Sequence, residues 1–107
     1  MKLTHSLLQV MVALMDEPTQ QHWGYDLSRR SGIRSGVLYP ILHRMLDEEW
    51  LIDGWQDASD TNGRPPRRYY LVTPEGMSRM GTILRDARSD SRFRSLSEGL
   101  ALSLIHI

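Results

Sequence analysis

Two groups of arginines stand where they could grip an anion. Arg29, Arg30, Arg34 and Arg44 flank or lie on one helical stretch, and Arg64, Arg67 and Arg68 fall in a later loop and strand. Lys2 is the only lysine, so the positive charge is almost all guanidinium, the group suited to bidentate contact with phosphate. Beside Arg34 stand Ser35, Gly36 and Val37, small enough to let a backbone approach a surface closely, and then Tyr39. Asp47, Glu48, Glu49 and Asp53 follow together, so the molecule is dipolar although its formal net charge is zero.

Catalysis finds no such support. There is no cysteine, which removes disulfides, thiolate metal sites and thiol chemistry. His5, His22 and His43 lack metal-ligand spacing, and no glycine-rich phosphate loop follows a strand. Asp47, Glu48 and Glu49 are adjacent and so face different directions on a helix. The expectation is a protein that is not an enzyme and needs no cofactor or metal.

The elements that must position the arginines follow from periodicity. At 107 residues, 40% hydrophobic and 24% charged, the chain fits one globular domain. No apolar run approaches the roughly 20 residues of a membrane span, no signal peptide follows Met1, and the expected location is the cytoplasm. Leu3 to Met15 reads as a helix with Leu7, Met11 and Leu14 on one stripe, Leu8, Val12 and Met15 on the next, and Thr4 or Ser6 as cap. Pro18 ends it. Trp23 to Gly32 reads as a short helix with Gly32 as its stop, and with Tyr25 and Leu27 as apolar anchors. A second helix starts at Arg34 or Ser35, with Ser35 as the expected N-cap and Pro40 as a point of bending. Its apolar residues, Leu38, Ile41, Leu42, Met45 and Leu46, face a core, while Arg34, Tyr39, His43 and Arg44 do not.

After Trp50 the period changes to that of strands. Leu51 to Asp57 and Arg67 to Thr73 make an antiparallel hairpin, joined by Ala58 to Pro66, a loop by its Asp, Asn, Gly and Pro content. Tyr69, Leu71 and Thr73 share one face; Arg68, Tyr70 and Val72 share the other. Thr73 caps a last helix that begins at Pro74, with Met77, Met80, Ile83, Leu84 and Ala87 as its stripe. From Ser89 to Ser97 that stripe thins to Phe93 and Leu96.

Helix, short helix, basic helix, hairpin and trailing helix make an α+β, mainly α, winged helix-turn-helix. An α-helix fits the major groove of double-stranded DNA, where base edges carry a readable code. Arg34, Ser35, Gly36 and Val37 are placed for the groove floor, and Tyr39 and Arg44 for phosphate. Tyr39 has a second fate, packing on Trp23. Arg64, between Gly63 and Pro65, sits on a stiff loop suited to a minor groove. Arg67 and Arg68 point to opposite faces; Arg67 is the expected DNA contact, and the other is free to pair with Asp53 or Asp57. A few phosphate contacts per subunit bind weakly, so the reading demands a homodimer on an inverted-repeat operator. The alternative use of the same fold is a protein–protein assembly module without DNA binding.

Three phrases in order carry a resemblance: Trp23-Gly24-Tyr25-Asp26-Leu27, then Ser35 to Met45, then Gly63-Arg64-Pro65-Pro66 running to Gly76. Together they resemble the PadR family of transcriptional regulators, over roughly Leu3 to Leu84. The resemblance implies a dimeric repressor whose C-terminal helix supplies much of the dimer contact, expected at Leu7, Met77, Met80, Ile83, Leu84 and Ala87. It also places the leucine-tyrosine-proline phrase on the recognition helix and the glycine-arginine-proline phrase on the wing. A small-molecule inducer is compatible, with Trp23, Phe93 and the C-terminal helix as candidate walls. The expected division is a DNA-binding domain over 1–73 and a shortened dimerisation helix over 74–101. Residues 102–107, Leu-Ser-Leu-Ile-His-Ile, spell what the transposon mosaic-end adapter of sequencing libraries encodes. They are expected to be read-through, with the natural chain continuing past Ala101.

Overall fold

The computed structural model describes residues 1–87. Helix α1 (His5–Asp16) opens it, capped by the Thr4 hydroxyl, which accepts from the Leu7 amide at 3.1 Å. Both expected stripes of α1 are used: Leu7, Leu8, Met11 and Leu14 are buried, with Val12 and Met15 half-buried beside them. A strand of two residues, β1 (His22–Trp23), leads directly into α2 (Gly24–Ser31). Gly32 then ends α2 in the left-handed conformation at φ 73°, which glycine adopts at no steric cost.

The turn into α3 (Ser35–Asp47) is locked at both ends. The Ser28 hydroxyl donates to the Ile33 carbonyl at 2.7 Å, and the Ile33 amide donates to the Ser31 hydroxyl at 3.1 Å. The expected cap shifts by one residue: Arg34 is the N-cap and Ser35 is the first helical residue, with no side-chain cap. The amides of Val37 and Leu38 both bond to the Arg34 carbonyl, so the backbone turns helical one residue before Ser35 could cap it. Pro40 lies within α3, and the helix continues through it to Asp47. Pro40 cannot donate to the carbonyl of Gly36, but Gly36 is on the exposed side, so no buried acceptor is orphaned there.

Strands β2 (Leu51–Trp55) and β3 (Arg68–Val72) form the hairpin, with Leu51 opposite Val72 and Trp55 opposite Arg68. The sheet has three strands, not the two that composition suggests, because β1 pairs antiparallel with the other edge of β3. On β3, Tyr70 and Val72 turn to the core, while Tyr69 and Leu71 are half-buried on the opposite face. The connecting loop holds a short 3-10 turn, Ala58–Asp60, capped by Asp57 and closed over the buried Thr61.

Helix α4 (Pro74–Ala87) is bolted to the hairpin at its first turn. The Thr73 hydroxyl accepts from the Gly76 amide at 2.9 Å and donates to the Glu49 carbonyl at 2.6 Å, while the Thr73 amide donates to the Trp50 carbonyl. Gly76 packs against the Trp50 backbone so closely that a Cβ there would overlap the carbonyl. Of the stripe expected at a dimer face, Leu7, Met80, Leu84 and Ala87 lie in this chain's own core, and Met77 and Ile83 are half-buried at its margin. The expectations for Phe93, Leu96 and residues 102–107 concern residues outside those described. Among the described residues, no helix is long and apolar enough to cross a membrane.

Candidate nucleic-acid interface

Leu38, Leu42 and Met45 bury one side of α3 completely, which turns the opposite side outward. Arg34, Ser35, Gly36, Val37, Tyr39, His43 and Arg44 are all exposed there. Nothing stands within 4 Å of the position a Cβ would take on Gly36, so the first turn presents bare backbone. Tyr39 is half exposed, and its hydroxyl end rests over Gly24, at the start of α2. Gly24, the residue next to the Trp23 expected as a packing partner, is the seat of the hydroxyl end. A side chain at position 24 would displace the tyrosine.

Trp23, the neighbour of that seat, faces the wing. Its ring meets Tyr69 edge-on, with centroids 5.7 Å apart, and the Arg67 guanidinium lies over it at 4.8 Å from the centroid. The two expected DNA-contacting groups therefore meet at one dipeptide: Tyr39 on Gly24, Arg67 on Trp23. Arg64 and Arg67 then line a shared concavity of about 550 Å³ with Gln56, Asp60, Thr61, Asn62 and Pro65. Asn62 and Gly63 both have positive φ, 52° and 80°, which makes the tight turn that carries Arg64.

Arg68 is used differently. It pairs with Asp53 across the hairpin, through both its Nε and a terminal nitrogen. The pair is partly exposed, so it contributes under about 1 kcal/mol. Asp53 is the partner, not Asp57, which instead caps the 3-10 turn by accepting from Ser59.

One expectation about α2 is overturned. Tyr25 is 67% exposed and lies outside the core of the described residues, whereas Leu27 is fully buried. Successive helical residues are ~100° apart, so Tyr25 and Leu27 lie on opposite sides of α2 and cannot share one core. Tyr25 instead stands beside the Arg29 guanidinium, 5.9 Å from its ring centroid.

His22, dismissed as a metal ligand by its spacing, proves to be a buried structural residue, which nothing in the sequence marks. His22 is 2% exposed, and both its ring nitrogens are bonded: Nε2 to the Glu17 carbonyl at 2.9 Å, Nδ1 to Arg30 at 2.8 Å. A guanidinium only donates, so Nδ1 must accept and the single ring proton sits on Nε2. Burial holds the His22 pKa below its ordinary value, and the Arg30 charge lowers it further; the Glu17 carbonyl opposes both. Arg30 therefore joins α2 to β1 and is not a free surface cation. Among the described residues, no group of three His, Asp or Glu side chains could hold a metal ion.

A helix-turn-helix with its second helix exposed along one side, followed by a hairpin whose base meets that helix, defines the winged helix class. The sequence profile described as the "Transcriptional regulator PadR-like family" matches residues 12–82. The chain belongs to this family of DNA-binding regulators of transcription. Solved structures with the same fold include smu.1704 from Streptococcus mutans UA159, 22% identical, with a TM-score of 0.62, covering 80% of this chain and 82% of that one. A PadR family transcription regulator from Clostridium difficile R20291 is 17% identical, with a TM-score of 0.62 and coverage of 76% and 86%. A PadR family regulator from Eggerthella lenta DSM 2243 is 22% identical, with a TM-score of 0.57 and coverage of 88% and 80%. No curated protein matches the sequence.

Proposed function

We propose that this chain is one subunit of a homodimeric repressor that binds an inverted-repeat operator in the cytoplasm and is released by a small-molecule inducer. In this reading residues 1–73 form the DNA-binding unit. Arg34, Ser35, Gly36 and Val37 enter the major groove, Tyr39 and Arg44 meet phosphates, Arg64 reaches the edge of the minor groove, and Arg67 holds a phosphate between the two. The observation that carries it is the meeting of helix and wing at Trp23 and Gly24, which brings Tyr39 and Arg67 onto adjacent residues.

The dimer contact is assigned to α4 and its continuation over 74–101. Leu7, Met80, Leu84 and Ala87 back the helix from inside the subunit, and Met77 and Ile83 sit at the margin a partner could cover. Two subunits are needed because each supplies only a few phosphate contacts, and affinity grows with their number. The test is genomic footprinting with the full-length protein. The expected result is a protected inverted repeat with half-sites about one helical turn apart, ~34–36 Å centre to centre. Protection of unpaired single sites would contradict the dimer, and absence of any protection would contradict the operator reading.

A further inference from the structure

Trp23 carries the Arg67 guanidinium over its ring, 4.8 Å from the centroid, and a ring face engages the charge without the carboxylate that would take up its N–H donors. A cation–π contact draws on the charge of the guanidinium, which has five N–H donors in its own plane, so donors remain for an anion. Arg67 is exposed, its side chain has no carboxylate partner among the described residues, and its backbone amide is fixed separately by the Gln56 side chain at 3.3 Å. The neighbouring Arg68 shows the contrast, because Asp53 occupies its donors. Trp23 is itself held on two sides: β1 pairs it with Tyr69, and the Tyr69 ring braces its edge. The seat belongs to the short strand that leads into α2, so it fixes Arg67 relative to the helix pair and not merely to the hairpin.

We infer that Trp23 is a positioning residue for DNA binding: its indole pre-orients the Arg67 guanidinium so that its donor edge faces a phosphate. The inference rests on the DNA-contact reading of Arg67. A free arginine would lose rotamer freedom on meeting the duplex, and the stack removes part of that loss in advance.

The test measures binding of the full chain to a mixed-sequence duplex of about 30 base pairs at ~50 mM salt, where phosphate contacts dominate and no operator is needed. Trp23→Leu is expected to weaken binding about two- to five-fold, the range of an exposed cation–π contact. Trp23→Phe, which keeps a ring face, should recover most of it. In an Arg67→Ala background, Trp23→Leu should cost nothing further, because the group it orients is gone. A full-sized loss in that background, or no recovery by Trp23→Phe, overturns the positioning role. Should Trp23→Leu fail to fold, Arg67→Lys decides on the exposed side of the pair. It keeps the charge but not the planar guanidinium over the ring, and is expected to lose most of what Arg67→Ala loses. Wild-type binding by Arg67→Lys overturns the inference. Absence of salt-sensitive binding by the wild type would instead overturn the DNA reading beneath it.

Discussion

Two glycines of α4 should respond in opposite directions to the same substitution. At Gly76 an added methyl meets the carbonyl oxygen, carbonyl carbon and Cα of Trp50, all backbone. Backbone cannot rotate aside as a side chain can, so the helix or the strand start must move. Overpacking of this kind costs about 1–3 kcal/mol. The same shift strains the Thr73 cap, adding about 0.5–2 kcal/mol. Against both stands the helix propensity gained from alanine, about 1 kcal/mol. The balance for Gly76→Ala is a loss of ~0.5–4 kcal/mol, or a few degrees of Tm upward in a domain of this size. At Gly81 the nearest atom to an added Cβ is the flexible end of Met15, at 4.0 Å. There the propensity acts almost alone, and Gly81→Ala should stabilise by up to about 1 kcal/mol. Urea denaturation of both variants reads the two signs directly, with unchanged m-values showing that only native stability moved. A neutral or stabilised Gly76→Ala would mean that α4 does not rest on the Trp50 backbone, and would refute the joint that ties helix to hairpin.

Two further outcomes follow from the same geometry. His22 is held below the ordinary histidine pKa of 6.5 in the folded chain, so the unfolded chain binds more protons over the interval between the two values. Its contribution to stability is complete above that ordinary value and is lost as pH falls through it toward the folded value. The slope for this one group cannot exceed about 1.4 kcal/mol per pH unit, and denaturation midpoints for wild type and His22→Gln should converge as pH falls; parallel curves would refute the buried neutral ring. At Gly36 space is open and α3 is exposed, so Gly36→Ala should raise stability by up to about 1 kcal/mol. If the backbone there approaches DNA, the same change weakens binding, and a variant that gains stability without losing affinity removes Gly36 from the interface.

Much of this fold was legible from period and punctuation. The stripes of α1 and α4, the Gly32 stop and the Thr73-Pro74 start are local devices, each written in a few adjacent residues. The hairpin was legible too, because β3 alternates and its loop is dense in turn residues. What escaped was set by contacts between distant positions. A strand of two residues has no period, so β1 shows only through its pairing with β3. The seat of Tyr39 on Gly24, the stack of Arg67 on Trp23 and the approach of Gly76 to Trp50 join residues at least 15 positions apart. The tethering of His22 by Arg30 needed the bend between β1 and α2 before the two could meet. Tyr25 is the instructive miss, since its two-residue offset from Leu27 already placed it on the far side of the helix. The eight expected DNA-contacting positions are all exposed, but only coordinates could show that Tyr39 and Arg67 converge on one dipeptide.

The salt dependence of duplex binding tests the central claim most directly. Each phosphate neutralised contributes about −0.9 to the slope of log affinity against log salt. Wild type should show a steep slope, and Arg44→Ala and Arg64→Ala should each weaken binding and flatten it by about one unit. A slope near zero, or one that neither substitution alters in a protein shown to be dimeric, would contradict DNA binding by this face and favour a partner protein in its place.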